Sequence, residues 1–582
     1  MIGRFPILEI SPVTQFGGEF IGAKAIPNEE IPVQATIIRE GHDSFEAHVI
    51  LVDPRGKEVS RVGMREIWPK SNRFEGRVRP TSQGIWSFYI EVIAENPGEF
   101  KKTLTSSTQK FPIYVERERA LVGSWYEFFP RSEGAKKNPD GTVTRGTFKT
   151  AAQRIPAVAE MGFDVLYIPP IHPIGYSHRK GKNNSLEAKA TDPGVPWGIG
   201  NADGGHDAIN PELGSIKDFE DFVKVAKKNK IEVALDLALQ CSPDHPWVKS
   251  NPEWFTKRAD GTIAYAENPP KKYQDIYPIN FDNDYPGLFK EVYRIVTYWI
   301  DKGISIFRVD NPHTKPVHFW QELITAINTK FPDVIFLSEA FTNPAMMHSL
   351  GKAGFQQSYT YFTWRVTKHE LEEYGREVAH GTSAFFRPNF WVNTPDILPF
   401  HLQSGNPAIF ALRAVLASTM TPSWGMYAGY ELYEHIPIAE GKEEYRDSEK
   451  YEIKVRDWSG AAKKGLTLAP FITQLNKIRR ENVALQRLRN VHFHKTDSDH
   501  ILAYSKREGD NLILVVVNLD GFHAHETTVH WDLWALGIES EHFEVTDLID
   551  NSIYNWNANT FVRLDPARPH GKVAHIARVR IK

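Results

Sequence analysis

Acidic side chains follow directly after short apolar runs in the middle of the chain. Asp310 ends the run Ile-Ser-Ile-Phe-Arg-Val, in which Arg308 stands two residues earlier, and Glu339 ends the next apolar run. Asp396 comes soon after a further run, Phe-Trp-Val-Asn. One acid beside an arginine is as readily a structural salt bridge as a nucleophile. Two carboxyl groups about 5–5.5 Å apart, however, can attack a sugar and protonate its leaving oxygen, so three such acids predict a retaining glycosidic centre.

These acids can act together only if the strands before them end at one edge of a sheet. From about residue 117 to 485, short apolar strands alternate with amphipathic helices. The strands are predicted at 165–168, 231–239, 304–309, 334–337, 390–393 and 423–427. One buried helix face is predicted at Leu288, Val292, Ile295, Val296 and Trp299. So many alternating units favour a (β/α)₈ TIM barrel, whose strand ends carry the chemistry.

The two ends of the chain alternate apolar and polar positions in short runs that turns interrupt, which is typical of β-sandwiches. The predicted fold class is therefore α/β, a barrel flanked by two β-sandwiches. We predict an immunoglobulin-like N-terminal sandwich at 1–116, the barrel at 117–485 and a C-terminal sandwich at 486–582. A loop subdomain is expected to be inserted after the third barrel strand, at about 241–287.

The composition excludes several classes of partner. The chain has 582 residues, with 69 basic and 72 acidic side chains and a net charge of -3, which argues against nucleic acid or an anionic membrane as the main partner. It has a single cysteine, Cys241, and no apolar stretch of bilayer-spanning length, so a cytoplasmic location is expected. Cys241 is predicted to be a buried core residue rather than a nucleophile, because Asp310 already fills that role.

The run Phe-Arg-Val-Asp, followed by Ser-Glu and then by a third aspartate, resembles glycoside hydrolase family 13, the α-amylase superfamily. The resemblance implies that Asp310 is the nucleophile, Glu339 the acid/base and Asp396 the transition-state stabiliser. It further implies that Arg308 holds the nucleophile and that Asp236, at the end of an earlier strand, helps to organise the site.

The sequence departs from ordinary amylases beside these acids. Gln240 and Cys241 replace the family's Asn-His pair, Asn311 follows the first acid and Pro395 precedes the third. Amide groups beside a nucleophile can bind a charged leaving group such as phosphate, especially with cations nearby. The segments 236–247, 308–316 and 393–398 are similar to one subgroup, the α-1,4-glucan:maltose-1-phosphate maltosyltransferases.

This similarity implies a retaining transfer of a maltosyl unit from α-maltose 1-phosphate to the non-reducing 4-hydroxyl of an α-1,4-glucan, in α-glucan biosynthesis. No metal or organic cofactor is expected for that reaction. By matching position, the donor phosphate would be held by Lys180, Asn184, Gln240, Lys271, Tyr273 and Asn311. The maltosyl unit would contact Asp275, Lys450 and Tyr451.

Other functions and assemblies stay open at this point. The same acids could serve an α-glucan hydrolase or transglycosylase, which would cleave starch alone, and a decayed barrel could be a non-catalytic glucan-binding scaffold. Against the scaffold, all three acids are present. Relatives in the subgroup often pair two subunits through a helical insert in the N-terminal sandwich. Residues 1–116 have no helical run long enough for it, so a monomer and a homodimer both stay open.

Overall fold

Eight parallel strands form a barrel in the computed structural model, which describes residues 5–39, 44–95, 103–268, 271–567 and 572–580. In chain order these strands are Gly123–Glu127, Val165–Ile168, Glu232–Leu237, Ile306–Asp310, Ile335–Glu339, Gln357–Ser358, Phe390–Trp391 and Ser423–Tyr427. The first strand pairs with the second and the eighth. Backbone hydrogen bonds from Ser358 to the residues on either side of Pro388 close the barrel between the sixth and seventh strands.

The predicted barrel is confirmed, and six of its eight strands were predicted from the sequence. The second strand, Val-Leu-Tyr-Ile, is buried at every position, as expected for a parallel strand covered on both faces. The sequence analysis missed the first and sixth strands. Gly123–Glu127 is mixed in polarity although all of it is buried, and Gln357–Ser358 consists of two polar residues. Neither segment has an apolar run, so only pairing with distant strands makes it a strand.

Helices cover the outside of the barrel. They span Phe148–Ala152, Ile155–Glu160, Ile216–Lys228, Pro246–Ser250, Tyr285–Asp301, Val317–Lys330, Pro344–Ala353, Lys368–Arg376, Pro407–Met420, Trp458–Lys463 and Ala469–Glu481. In Tyr285–Asp301 the Asp284 side chain accepts a hydrogen bond from the Gly287 amide and caps the first turn. The predicted apolar face of this helix is confirmed, because its five residues are all buried. Among the described residues, no helix is both long and apolar enough to cross a membrane.

Two β-sheets enclose a separate core before the barrel. Their strands and two small additional ones are Ile7–Ser11, Thr14–Phe16, Glu19–Ile21, Ala23–Ala25, Ile31–Ile37, Glu46–Val52, Glu58–Gly63, Arg65–Glu66, Arg73–Val78, Gly84–Glu95, Thr103–Ser107 and Phe111–Val115. Ile31–Ile37 buries every second residue, which is the alternation expected of a strand with one covered face. The N-terminal β-sandwich is thus confirmed.

Eight antiparallel strands, joined in one continuous sheet, follow the barrel and enclose their own core. They are Val491–Thr496, Ile501–Glu508, Asn511–Asn518, His525–His530, His542–Asp547, Ile553–Asn557, Asn559–Leu564 and Ala574–Val579, with one short helix, Leu533–Leu536. The C-terminal sandwich is confirmed as a fold element. The exact domain boundaries given above stay predictions.

The segment after the third barrel strand lies at the rim where the acids are. It contains two small antiparallel pairs, Gln240–Cys241 with Tyr277–Pro278 and Ala266–Asn268 with Lys271–Tyr273. The helix Pro246–Ser250 and a 3₁₀ turn, Pro252–Trp254, follow Gln240–Cys241 in the sequence and precede Ala266–Asn268. The rim of a (β/α)₈ barrel is where such loops carry binding residues.

Candidate active site

A cavity of about 540 Å³ opens at the carboxyl ends of the barrel strands. It brings together eleven of the thirteen predicted site residues, namely Lys180, Asn184, Gln240, Tyr273, Asp275, Asp310, Asn311, Glu339, Asp396, Lys450 and Tyr451. Arg308 does not line the cavity, but it contacts two of the acids that do. The side chain of Lys271 lies outside the described residues, so its predicted contact stays a prediction.

One guanidinium connects the acids. Arg308 Nη1 lies 2.9 Å from Asp310 Oδ1 and 2.9 Å from Asp236 Oδ2, and its Nη2 lies 3.6 Å from Glu339 Oε1. Strand register explains the arrangement, since Asp236 is paired with Arg308, and Asp310 with Glu339, on neighbouring strands. The predicted contact of Arg308 with Asp310 is therefore present.

Burial gives Glu339 an unusual protonation equilibrium. Loss of solvent raises its pKa to about 7; the charge of Arg308 opposes this rise and that of Asp310 adds to it. Burial also raises the pKa of Asp236, whose Oδ2 accepts hydrogen bonds from Arg308, Tyr167 and Trp197. These donors oppose the rise, but the pKa of Asp236 is still raised to about 7. Of the two acids, only Glu339 lines the cavity, so it is the one that can pass a proton to a ligand there.

Asn311 contacts both of the paired acids. Its backbone amide donates to Glu339 Oε2 at 3.1 Å, and its side-chain amide donates to Asp310 Oδ2 at 3.3 Å. The residue is in the left-handed region, with φ at 42°, which asparagine tolerates better than most residues. This turn directs the side-chain amide toward the carboxylates, and the predicted contact of Asn311 with a donor phosphate stays a prediction.

The third acid, Asp396, forms an ion pair across the cavity. Lys450 Nζ lies 2.7 Å from Asp396 Oδ1 and 5.4 Å from the centre of the Trp197 ring. Burial disfavours the lysine charge, but Asp396 more than offsets this and raises the pKa of Lys450. Lys450 therefore stays charged at the wall of the cavity beside the third acid, and its predicted contact with the maltosyl unit stays a prediction.

Asp275 presents an unpaired oxygen near the same wall. Its Oδ1 is buried and accepts no hydrogen bond from any residue that the structure describes, and burial raises the pKa of Asp275. An unpaired buried acceptor is costly unless a ligand satisfies it. Tyr451 also lines the cavity, and burial raises the pKa of its phenol, which keeps it a hydrogen-bond donor. Both positions can therefore bind sugar hydroxyls.

The remaining predicted residues come from the rim loops. Lys180 is only 4% exposed, unlike an ordinary loop lysine, and Asn184 ends the 3₁₀ turn Lys182–Asn184. Gln240 Nε2 lies 3.4 Å from the Trp197 carbonyl oxygen, which it contacts as a donor. Tyr273 ends the strand Lys271–Tyr273. These loops thus add a buried cation and amide groups to the carboxylate side of the cavity.

Two residues near the acids were missed in the sequence. Lys315 lines the cavity, and its Nζ donates to the backbone oxygens of Asp310 and Asn311 at 3.3 and 3.2 Å. Its place five residues after the first acid was the available signal. Glu127 ends the first barrel strand, and burial raises its pKa well above the usual range. It was missed because that strand was missed.

Cys241 is buried, as predicted. Burial raises the pKa of its thiol well above the usual range, so little of the reactive thiolate exists near neutral pH. The acids at the strand ends, rather than the thiol, are the nucleophiles available to this site.

Comparison with known proteins gives relatives along the whole chain. A family model described as "Alpha-1,4-glucan:maltose-1-phosphate maltosyltransferase, domain N/S" matches residues 3–117, and one described as "GLGE, C-terminal" matches residues 493–579. Alpha-1,4-glucan:maltose-1-phosphate maltosyltransferase 1 of Streptomyces coelicolor is 48% identical, over 99% of this chain and 96% of that protein. The protein of that name from Mycobacterium tuberculosis H37Rv is 54% identical over 84% of this chain and 69% of its own length.

The chain belongs to the α-1,4-glucan:maltose-1-phosphate maltosyltransferase family. The resemblance inferred from the sequence is thereby confirmed.

Solved structures support the fold of this family member. An α-amylase from Geobacillus thermoleovorans matches with a TM-score of 0.60 at 15% identity, over 79% of this chain and 98% of that one. A cyclomaltodextrinase matches with a TM-score of 0.62 at 15% identity, over 96% of this chain and 98% of that one. At such low identity the likeness concerns the fold alone, an α-amylase-like barrel with flanking β-domains.

Proposed function

We propose that this enzyme transfers a maltosyl unit from α-maltose 1-phosphate to the non-reducing 4-hydroxyl of an α-1,4-glucan and releases phosphate. The observation that carries this proposal is a cavity in which strand-end carboxylates lie beside a buried lysine and several amide groups. Carboxylates suit chemistry at an anomeric carbon, whereas a cation and amides suit an anionic leaving group. Membership of the maltosyltransferase family supports the same reaction.

In the first step, Asp310 attacks the anomeric carbon of the donor while Glu339 protonates the oxygen that bridges carbon and phosphorus. The bond between the anomeric carbon and that oxygen breaks, phosphate leaves, and a β-maltosyl ester forms on Asp310. Arg308 pairs with Asp310 and holds its carboxylate in place, and Glu339, whose pKa is about 7, can supply a proton at neutral pH. We assign Asp396, with Lys450 beside it, to stabilising the transition state.

In the second step, Glu339 is a carboxylate and takes the proton of the acceptor 4-hydroxyl. The acceptor oxygen then attacks the anomeric carbon, the ester bond to Asp310 breaks, and the product keeps the α configuration. A pKa near the working pH suits a group that must both give and take a proton in one cycle.

The phosphate would be bound by the residues that the family resemblance implied. Lys180 supports this assignment because it is a buried cation at the cavity, and Asn311 because its amides contact both acids. We add Lys315 to this group, because its Nζ donates a hydrogen bond to the backbone oxygen of Asp310. Asp275, Lys450 and Tyr451 are proposed to contact the maltosyl unit.

We further propose a biological role, a location and domain boundaries for this chain. A role in α-glucan biosynthesis follows from chain extension, and a cytoplasmic location is supported by the single cysteine. The domain boundaries at 116/117 and 485/486 are proposed from the change of pattern along the chain. For the assembly, we propose to distinguish a monomer from a homodimer by light scattering.

The reaction can be tested directly with α-maltose 1-phosphate and maltohexaose, following phosphate release and product length by mass spectrometry. We expect phosphate in step with products that are longer by two glucose units. Shortening of maltohexaose without phosphate release would favour the hydrolase or transglycosylase alternative. No change in either substrate, with a correctly folded enzyme, would favour the glucan-binding scaffold.

A further inference from the structure

Three histidines and one aspartate meet on the surface of the C-terminal sandwich, and none of them lines the catalytic cavity. We name His500, Asp520, His523 and His525 the surface histidine cluster. His500 directly precedes the strand Ile501–Glu508, and His525 begins the strand His525–His530. Asp520 and His523 lie in the loop between Asn511–Asn518 and that last strand.

The nitrogens of two histidines point at one carboxylate oxygen. His525 Nε2 and His523 Nδ1 each lie 2.9 Å from Asp520 Oδ2. The His500 ring stacks on that of His525, with centroids 4.1 Å apart and an angle of 23° between the planes. One ligand atom each from His500, Asp520 and His525 lies within 4.8 Å of the other two. In a tetrahedral zinc site the ligand atoms are about 3.3 Å apart, so the His500 ring must turn out of its stack on His525 to complete the geometry.

The chemistry of the cluster suits a borderline divalent metal ion. Asp520 contacts the rings of His523 and His525 through one carboxylate oxygen and accepts a hydrogen bond from the Phe522 amide through the other. Imidazole nitrogens together with a carboxylate are a donor set that Zn²⁺ commonly takes. The exposed position of His500 leaves its ring free to rotate toward the other two ligand atoms.

The loop that carries Asp520 is anchored against the barrel. Asn406 Nδ2 donates to the Gly521 carbonyl at 2.7 Å, and the Asn406 side chain also caps the helix Pro407–Met420. A Cβ atom at Gly521 would lie 2.4 Å from Ile409 Cγ1, so only glycine allows this close approach. The anchoring fixes the backbone on one side of the cluster, which reduces the ordering that a bound ion would have to impose.

A second group of candidate ligands, His206, Cys241 and His245, is buried, and both ring nitrogens of each histidine are hydrogen-bonded. His206 Nε2 must donate to the Ala238 oxygen, which leaves its Nδ1 to accept from His245 Nε2 at 3.1 Å. The Trp247 amide donates to His245 Nδ1, also at 3.1 Å. Every imidazole nitrogen of this buried group is thus used, and a metal ion would have to break the chain of hydrogen bonds.

We propose that His500, Asp520 and His525 bind one divalent ion of the Zn²⁺ class at the junction of the C-terminal sandwich and the barrel, with solvent as the fourth ligand. The site has no part in maltosyl transfer. Its effect is to connect the ends of two strands to the loop that contacts the barrel helix, so it stabilises this junction.

The test is calorimetric titration of the chelator-treated full chain with Zn²⁺. We expect one ion per chain, a Tm that rises by a few degrees in excess Zn²⁺, and binding weaker by roughly tenfold or more in His500→Ala and His525→Ala. Asp520→Asn, which keeps the shape of the side chain, should weaken binding similarly. All three variants should keep the turnover of the parent enzyme, which shows that they fold.

His530→Gln is the matched control. His530 lies on the same strand as His525, and its Nε2 contacts a single carboxylate, Asp497 Oδ1, at 2.8 Å. It should bind Zn²⁺ as the parent does. The proposal is overturned if the parent shows no saturable binding, if His525→Ala binds like His530→Gln, or if Cys241→Ser is the variant that loses the ion.

Discussion

The catalytic cavity and the surface histidine cluster use similar groups in different surroundings. At the catalytic site, the Arg308 and Asp310 side chains are 6% and 9% exposed, whereas those of His523 and Asp520 in the cluster are 77% and 18% exposed. A buried charge that loses its partner is costly, but an exposed pair contributes only about 0–1 kcal/mol because water screens it. The surroundings, rather than the residue type, therefore decide the direction of a carboxyl pKa shift: burial raises the pKa of Glu339, whereas hydrogen bonds lower that of Asp520.

The largest effect is expected from Glu339→Gln. This change keeps the shape of the side chain but removes the proton that must reach the leaving phosphate, so kcat with α-maltose 1-phosphate should fall about a thousandfold. In the parent enzyme, the pKa of Glu339 near 7 predicts that kcat/KM for the donor falls as the pH rises through 7. Steady-state kinetics from pH 5 to 9 would measure both.

α-Maltosyl fluoride provides the matched control for this variant. Fluoride leaves without protonation, so Glu339→Gln should cleave this donor far better than it cleaves the phosphate, and the alkaline fall should vanish for it. Equal losses with both donors would contradict the assignment of Glu339 as the general acid.

A smaller effect is expected from Lys315→Met. The change removes hydrogen bonds to the backbone oxygens of Asp310 and Asn311 and a cation from the cavity, although burial lowers the pKa of Lys315. We expect kcat/KM for α-maltose 1-phosphate to fall about tenfold with the acceptor KM unchanged. Lys217→Met, at an exposed pair with Asp221, is the control and should behave like the parent. If both variants had the same kinetics, burial would not be what distinguishes these lysines.

The smallest effect on catalysis is expected from Glu127→Gln. Burial raises the pKa of Glu127 well above the usual range, Arg308 opposes this rise, and the charges of Asp396 and Asp236 add to it. The folded protein therefore holds a neutral acid, which glutamine imitates, and kcat should stay within about twofold.

The stability of this variant should depend less on pH than that of the parent. The unfolded chain ionises Glu127 above its ordinary pKa of 4.5 while the folded state does not, so the parent loses stability as the pH rises from there toward the folded pKa. Glu127→Gln should escape this loss, which is at most about 1.4 kcal/mol per pH unit. Tm differences between the two proteins from pH 5 to 8 would measure it; a constant difference would mean that Glu127 is ionised in the fold.

The parts of the fold that were predictable depend on local patterns. The helix Tyr285–Asp301 has an apolar face at helical spacing, and the strand Val165–Ile168 is a continuous apolar run, so both were visible in the sequence. Gly123–Glu127 was not, because its burial comes from pairing with Val165–Ile168 on one side and Ser423–Tyr427 on the other. No local pattern contains that information.

The candidate site divides in the same way. Asp310 and Glu339 were predictable because each ends an apolar strand, and a barrel brings strand ends to one rim. The roles implied for the loop residues came from family resemblance, since solvated lysines and buried ones look alike in a sequence. Lys180 was named in this way, but its burial could be seen only in the structure.

The sequence by itself determined the barrel with its flanking sandwiches, the acids at its rim and the family, because periodicity and motifs are local properties. Tertiary structure decided which charges lie together. It brought Lys450 into an ion pair with Asp396, which is 54 residues away in the sequence. It also placed the Arg308 guanidinium among the carboxylates of Asp236, Asp310 and Glu339. It also raised the pKa of Glu339 to about 7. These properties depend on distance and on exclusion of water, which the folded chain alone defines.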